Sequence, residues 1–260
     1  MTLSKSETDE LRRAKNLLEH PGIAARLTSF AGGPVEKGLG MLPAPLRKGV
    51  HVVTEKALMT ALKVAVHSLG DKPRAESSDR MHRMAVATSG AIGGAFGLAA
   101  LGVELPISTG IILRSIAAIA AAEGENPKHI DTRLACLTVF ALGSPKDRRD
   151  DAAESGYFAT RAALAVAVSE ATKHFAQKGL AKGGGPALVR LIGLIGARFG
   201  IVVSEKVAAQ LVPVIGAAGG ALINTIFIGH YQDMARGHFI VRRLEKIHGL
   251  EPVREAYEKL

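Results

Sequence analysis

Two uncharged stretches, 84–103 and 207–229, constrain this chain more than any other feature. Both consist of Gly, Ala and aliphatic residues with a few small polar ones, and each approaches the ~20 residues that a bilayer span requires. Gly90/Gly94, Gly93/Gly97, Gly196/Gly200 and Gly216/Gly220 lie four apart, which places each pair on one helix face. A glycine inside a helix costs roughly 1 kcal/mol relative to alanine, so a series of them implies close packing of backbones. Two settings fit: a small-residue interface within a membrane, and tight packing in a soluble helical core. "GAIGGAF" at Gly90 recurs as "GAAGGAL" at Gly216, as if two halves each supplied one glycine-faced helix.

The rest of the composition points to helices. Hydrophobic residues make up 47% of the chain and aromatic ones 4%, with no Trp. The apolar surface therefore comes from Ala, Leu, Ile and Val. Helical spacing is clear over 7–20, 55–69, 107–122, 132–142, 157–177, 189–204 and 224–248, and nothing reads as strand-turn-strand. Gly and Pro break 20–49 into expected short turns. The fold class is all-α: a glycine-rich helical bundle with two central apolar hairpins. An arm at 1–70, ending in the amphipathic helix of 55–69, precedes a main domain at 80–260.

Charge narrows the partners. Lys+Arg 33 against Asp+Glu 24 gives a net charge of +9, which favours an anionic membrane surface. Nucleic acid is the weaker match, because no binding motif appears and stacking aromatics are scarce. Cys136 is the single cysteine, so no intrachain disulfide forms. The polar N-terminus has no apolar core of a secretory signal, and the expected location is the cytoplasm, at the inner face of the cell membrane.

Several charges interrupt apolar helices and call for partners, since an unpaired buried charge costs several kcal/mol. Glu104 and Arg114 flank "LPISTGIIL", and a chain reversal at Pro106 would let them pair. Arg198 and Glu205 punctuate another apolar helix, and Arg133 offers a further cation for Glu104 or Glu123; these three are candidates for structural ion pairs. Asp131 is expected to cap the helix that follows it. Asn224, Tyr231 and His238 recur every seven residues, with Arg242 near the same direction. Together with Glu104 and Arg114 they are the candidate ligand-binding residues. The spacings of a metal site are missing, no cofactor fingerprint is present, and no G-x-S-x-G elbow supports a hydrolase. The residues name no reaction.

Several segments together resemble the EcsC family of bacterial proteins: "HPGIAARLTSFAGGPVEKGLGMLP", "GAFGLAALGVELPISTGIILRSIAAIAAAEGE", "DTRLACLTVFALG" and "VPVIGAAGGALINTIFIGHYQDMARGHFIVRRLEKIHG". The resemblance covers most of the chain. It implies a helical, membrane-associated protein and, because the family is named for a product encoded beside ABC-transporter components, an accessory role in an envelope or transport process. It transfers no catalytic residues. The alternative from the residues themselves is a soluble all-α enzyme or small-ligand carrier, with a polar site inside an apolar core.

Overall fold

The computed structural model describes residues 3–19, 23, 26–27, 44–68, 101–143, 156–178, 185–210 and 216–260. Among these residues there are eight α-helices, one short 3-10 turn at Val139–Ala141, and no strand. The helices are α1 (Lys5–Glu19), α2 (Ala44–Ser68), α3 (Leu101–Ala122), α4 (Ile130–Thr138), α5 (Gly156–Lys178), α6 (Pro186–Gln210), α7 (Gly216–His248) and α8 (Leu250–Lys259). The glycines of 90–97 lie outside the described residues.

The 33 residues of α7 extend about 50 Å at 1.5 Å per residue. Helices α1, α3, α6 and α8 all pack on this helix. Helix α2 packs between α3 and α6. Buried residues of α1 and α2, such as Leu11, Ala14, Leu58 and Ala61, belong to the same core cluster as Ile112, Phe199 and Phe239.

The start of α1 is a capping box written as Ser4-Lys5-Ser6-Glu7. The Ser4 N–H donates to Glu7 Oε2 at 2.8 Å, and the Glu7 N–H donates to Ser4 Oγ at 3.3 Å, so two orphan amides are satisfied reciprocally. His248, at the end of α7, donates from Nε2 to Glu7 Oε1 at 2.7 Å. Leu11, Ala14 and Leu18 then lie buried along one side of α1. Its docking on α7 depends on Gly237, where a Cβ would stand 2.6 Å from Leu18 Cγ and 3.0 Å from the Ala14 carbonyl oxygen. Arg243 ties the neighbourhood together, reaching Glu10 at 2.8 Å and Glu123 at 2.9 Å.

The bond from His248, then those from Ser4, hold the Glu7 carboxyl at about 2 against its ordinary 4.5. A carboxyl lowered by folding contributes stability in full above about 4.5, and loses it as pH falls toward 2. Glu7→Gln is therefore expected to melt below the parent protein at pH 6, with the gap closing as both are brought to pH 2. Equal melting temperatures at pH 6 would remove Glu7 from the account of α1 docking.

Three expectations change. Helix α2 begins at Ala44, eleven residues before the periodic segment, because Pro45 lies in a first turn, where a missing N–H costs nothing. Helix α3 continues through Pro106, so no chain reversal occurs there. Asp131 is not the cap of α4; that position is His129, and Asp131 lies in the first turn, where its charge suits the helix dipole.

Candidate functional site

Helix α7 carries the polar stripe expected from its spacing, and the fold divides it between two centres. Asn224 and His238 are fourteen residues apart, about 21 Å along the helix axis. One centre lies within the core and the other opens to a cleft.

The first centre joins α3, α6 and α7. Lys206 Nζ donates to both carboxylate oxygens of Glu104 at 2.9 Å, and Asn224 Nδ2 donates to Glu104 Oε1 at 2.9 Å. The ammonium also lies 4.7 Å from the centre of the Phe227 ring. Lys206 is 0% exposed and Glu104 5%. Burial pushes the Lys206 ammonium down, opposed by the charge and hydrogen bonds of Glu104. Glu104 therefore has the buried cationic partner it needs, but that partner is Lys206 and not Arg114. Within one continuous helix the ten residues from Glu104 to Arg114 span about 15 Å and point to different sides. Arg114 is exposed, at the rim of an apolar groove of about 260 Å³ between α2 and α3, walled by Val64, Pro106 and Ile107. Nothing in the local sequence around Lys206 marked it, because a lysine in "VVSEKVAAQ" reads as a helix surface.

The second centre lies among α4, α5 and α7. His238 Nδ1 and the Tyr157 hydroxyl are 2.9 Å apart, and Arg161 Nη1 donates to the same hydroxyl at 3.2 Å. Arg161 is held by a bidentate pair with Glu245, at 2.6 and 2.9 Å. Burial, then the charges of Arg161 and Arg242, drive the His238 pKa well below its usual value, so the ring is neutral. On the α4 side, Glu125 accepts from Arg242 Nε at 3.0 Å, Lys246 at 2.8 Å and Thr132 at 2.9 Å. His238, Arg161, Arg242 and Asp131 line a cleft of about 350 Å³ with an apolar wall that includes Leu164 and Val168. Tyr157 and Arg161 were not singled out by the sequence; they are four apart on α5, and only the packing of α5 brings them to His238.

The remaining candidates have structural surroundings. Tyr231 is fully buried among Phe140, Phe199 and Phe227, with ring centres 5.1, 5.7 and 5.3 Å away, and it lines neither cleft. Arg198 reaches Thr160 Oγ1 on α5 at 3.0 Å. Glu205 is seven residues on, about 10 Å along the axis; it is buried, and its charge adds to the burial that raises the Tyr231 hydroxyl pKa. Arg133 Nε donates to the Pro127 carbonyl at 2.8 Å, while Glu104 is held by Lys206 and Glu123 by Arg243. Cys136 is fully buried, with its thiol pushed up to about 12 by burial, the opposite of an activated nucleophile. Among the described residues no three His, Cys, Asp or Glu side chains gather as a metal site would need.

The model of the EcsC protein family matches residues 5–244. No curated protein and no solved structure matches the chain.

Proposed function

The chain belongs to the EcsC protein family, and we propose that it is a peripheral membrane protein, docking its helical body on the inner face of an anionic bilayer as an accessory to envelope or ABC-type transport. The outward face of α6 carries this reading. Val189, Gly193, Ala197 and Ile201 follow one another at intervals of four, with Leu194 beside them, and all five are exposed. The nearest charge on that face, Arg190, is engaged by Glu170. A monomeric protein in water scatters exposed apolar side chains singly; three turns of them in register suit a surface that meets lipid.

Other features bear on the membrane reading. Val103 and Ile107 on α3 are 66% and 49% exposed, and Arg114 lies at the rim of the apolar groove beside them. Both α3 and α6 are long and apolar enough to cross a bilayer. Their inner faces are occupied by α2 and α7 and linked by the Glu104–Lys206 pair, which favours lying on the membrane over crossing it. The net charge of +9 adds attraction of about 1 kcal/mol for each Lys or Arg that reaches an anionic surface.

Sedimentation with vesicles tests the proposal. The protein is expected to pellet with phosphatidylglycerol vesicles at low salt and much less with phosphatidylcholine vesicles. Leu194→Ser with Ile201→Ser is expected to lower the bound fraction severalfold without unfolding. Full recovery in the supernatant with both vesicle types, or a double variant that binds as the parent does, would overturn it.

A further inference from the structure

We infer that the cleft among α4, α5 and α7 binds the anionic head, a carboxylate or a phosphate, of a small amphiphile. This goes beyond the membrane reading and does not depend on it. The proton positions around Tyr157 carry the inference. An arginine only donates hydrogen bonds, so the Tyr157 oxygen accepts from Arg161 Nη1; we assign the hydroxyl proton to His238 Nδ1, 2.9 Å away, because the opposite tautomer would leave that proton without an acceptor among the described residues. The neutral imidazole then carries its own proton on Nε2. That N–H has no hydrogen-bond partner among the described residues, although His238 is only 3% exposed. A buried, unanswered donor is costly to retain, and an acceptor in the cleft would answer it.

Arg242 provides the charge. Its Nε is committed to Glu125, and its two Nη groups have no partner among the described residues. Glu125 also takes Lys246, so one carboxylate stands against two cations, while Arg161 and Glu245 cancel each other. The opposing charge that lines the cleft is Asp131, which is exposed and accepts from Thr172 at 3.2 Å; solvent screens it. The balance at the inner end favours an anion. Leu164, Val168 and Leu142 form the apolar part of the wall and would take a short tail. About 350 Å³ is at the small end of ligand pockets, which run from roughly 300 to 1,000 Å³.

Calorimetric titration of the full chain with hexanoate, hexyl phosphate, inorganic phosphate and hexanol tests the site. At least one of the first two is expected to bind at least tenfold more tightly than hexanol, and more tightly than inorganic phosphate does. Ala165→Phe fills the cleft from α5 without removing a polar contact, and Arg242→Gln removes the charge. Each is expected to weaken binding by tenfold or more, with circular dichroism reporting the fold. The 15N shift of His238 Nε2 is expected to move on binding to the parent protein. Equal binding of hexanol, no binding of either anion, or unchanged affinity in a folded Ala165→Phe would each overturn the proposal. Inorganic phosphate binding as tightly as hexyl phosphate would overturn the tail. Competition by phosphatidate vesicles would identify a lipid headgroup as the anion, and its absence a free small ligand; either upholds the site. Vesicle sedimentation without hexanoate or hexyl phosphate binding would sink the cleft and leave the membrane reading intact.

Discussion

Glu104→Ala is expected to destabilise the protein by about 3–5 kcal/mol, because it strands a charge that cannot reach water. Lys206 Nζ would lose both 2.9 Å contacts in a place with 0% exposure. What remains is the face of the Phe227 ring, which replaces only part of a carboxylate. Glu104→Gln combined with Lys206→Met tests the cause. It removes both charges and keeps an acceptor for Asn224 Nδ2, and its stability is expected within about 2 kcal/mol of the parent, since buried pairs are often replaceable by uncharged groups of similar size. Urea denaturation of Glu104→Gln, Lys206→Met and the double variant measures the coupling. Simple addition of the single effects would mean that the two groups act independently.

The pH dependence of Glu104→Ala carries the same information. Burial already pushes the Lys206 ammonium down, and loss of Glu104 removes the groups that opposed it. A lysine depressed in the fold binds fewer protons there than in the unfolded chain, so stability rises with pH until the unfolded lysine also titrates. The variant is expected to recover part of its loss between pH 7 and pH 10, relative to the parent protein. A loss that is flat over that range would point to packing alone.

Gly143→Ala is expected to cost about 2–5 kcal/mol. Gly143 follows the 3-10 turn with φ +68, a left-handed conformation that costs an ordinary residue roughly 1–2 kcal/mol. An added Cβ would also stand 2.5 Å from His230 Cε1 and 2.7 Å from Met234 Sδ, two side chains buried on α7, and overpacking of this kind costs about 1–3 kcal/mol. Thermal denaturation reads the sum, and a melting temperature within a degree of the parent would show that the turn and α7 yield freely. The glycines four apart on α6 contrast with this. A Cβ at Gly196 would meet Leu58 at 3.5 Å and one at Gly200 would meet Thr54 at 4.0 Å, which is ordinary contact. Glycine is not required there by the packing on α2.

The helices were legible because helical spacing is a local property. Leu11, Ala14 and Leu18 show the buried side of α1 by their spacing alone, while its start at Lys5, two residues before the expected 7–20 segment, was marked by the Ser4–Glu7 bonds of the fold. Helix α2 was read short at its start because proline suggests a break until its place in the first turn is known. The spacing rule that aligned Asn224 with His238 was correct along α7 and could not tell that the two face different neighbours.

Local sequence determined that Glu104 must have a cation and that His238 and Arg242 share a side of one helix. Both follow from elementary costs: an unpaired charge in an apolar helix is expensive, and residues four apart lie together. Only the tertiary structure decided that the cation is Lys206, 102 residues away along the chain, and that His238 meets Tyr157, 81 residues away. Those choices depend on which helix faces pack together. Many arrangements of apolar, alanine-rich faces bury similar area, so hydrophobic periodicity leaves the pairing open. Directional groups, the ammonium on its carboxylate and the hydroxyl on its imidazole, mark the pairing the fold adopts.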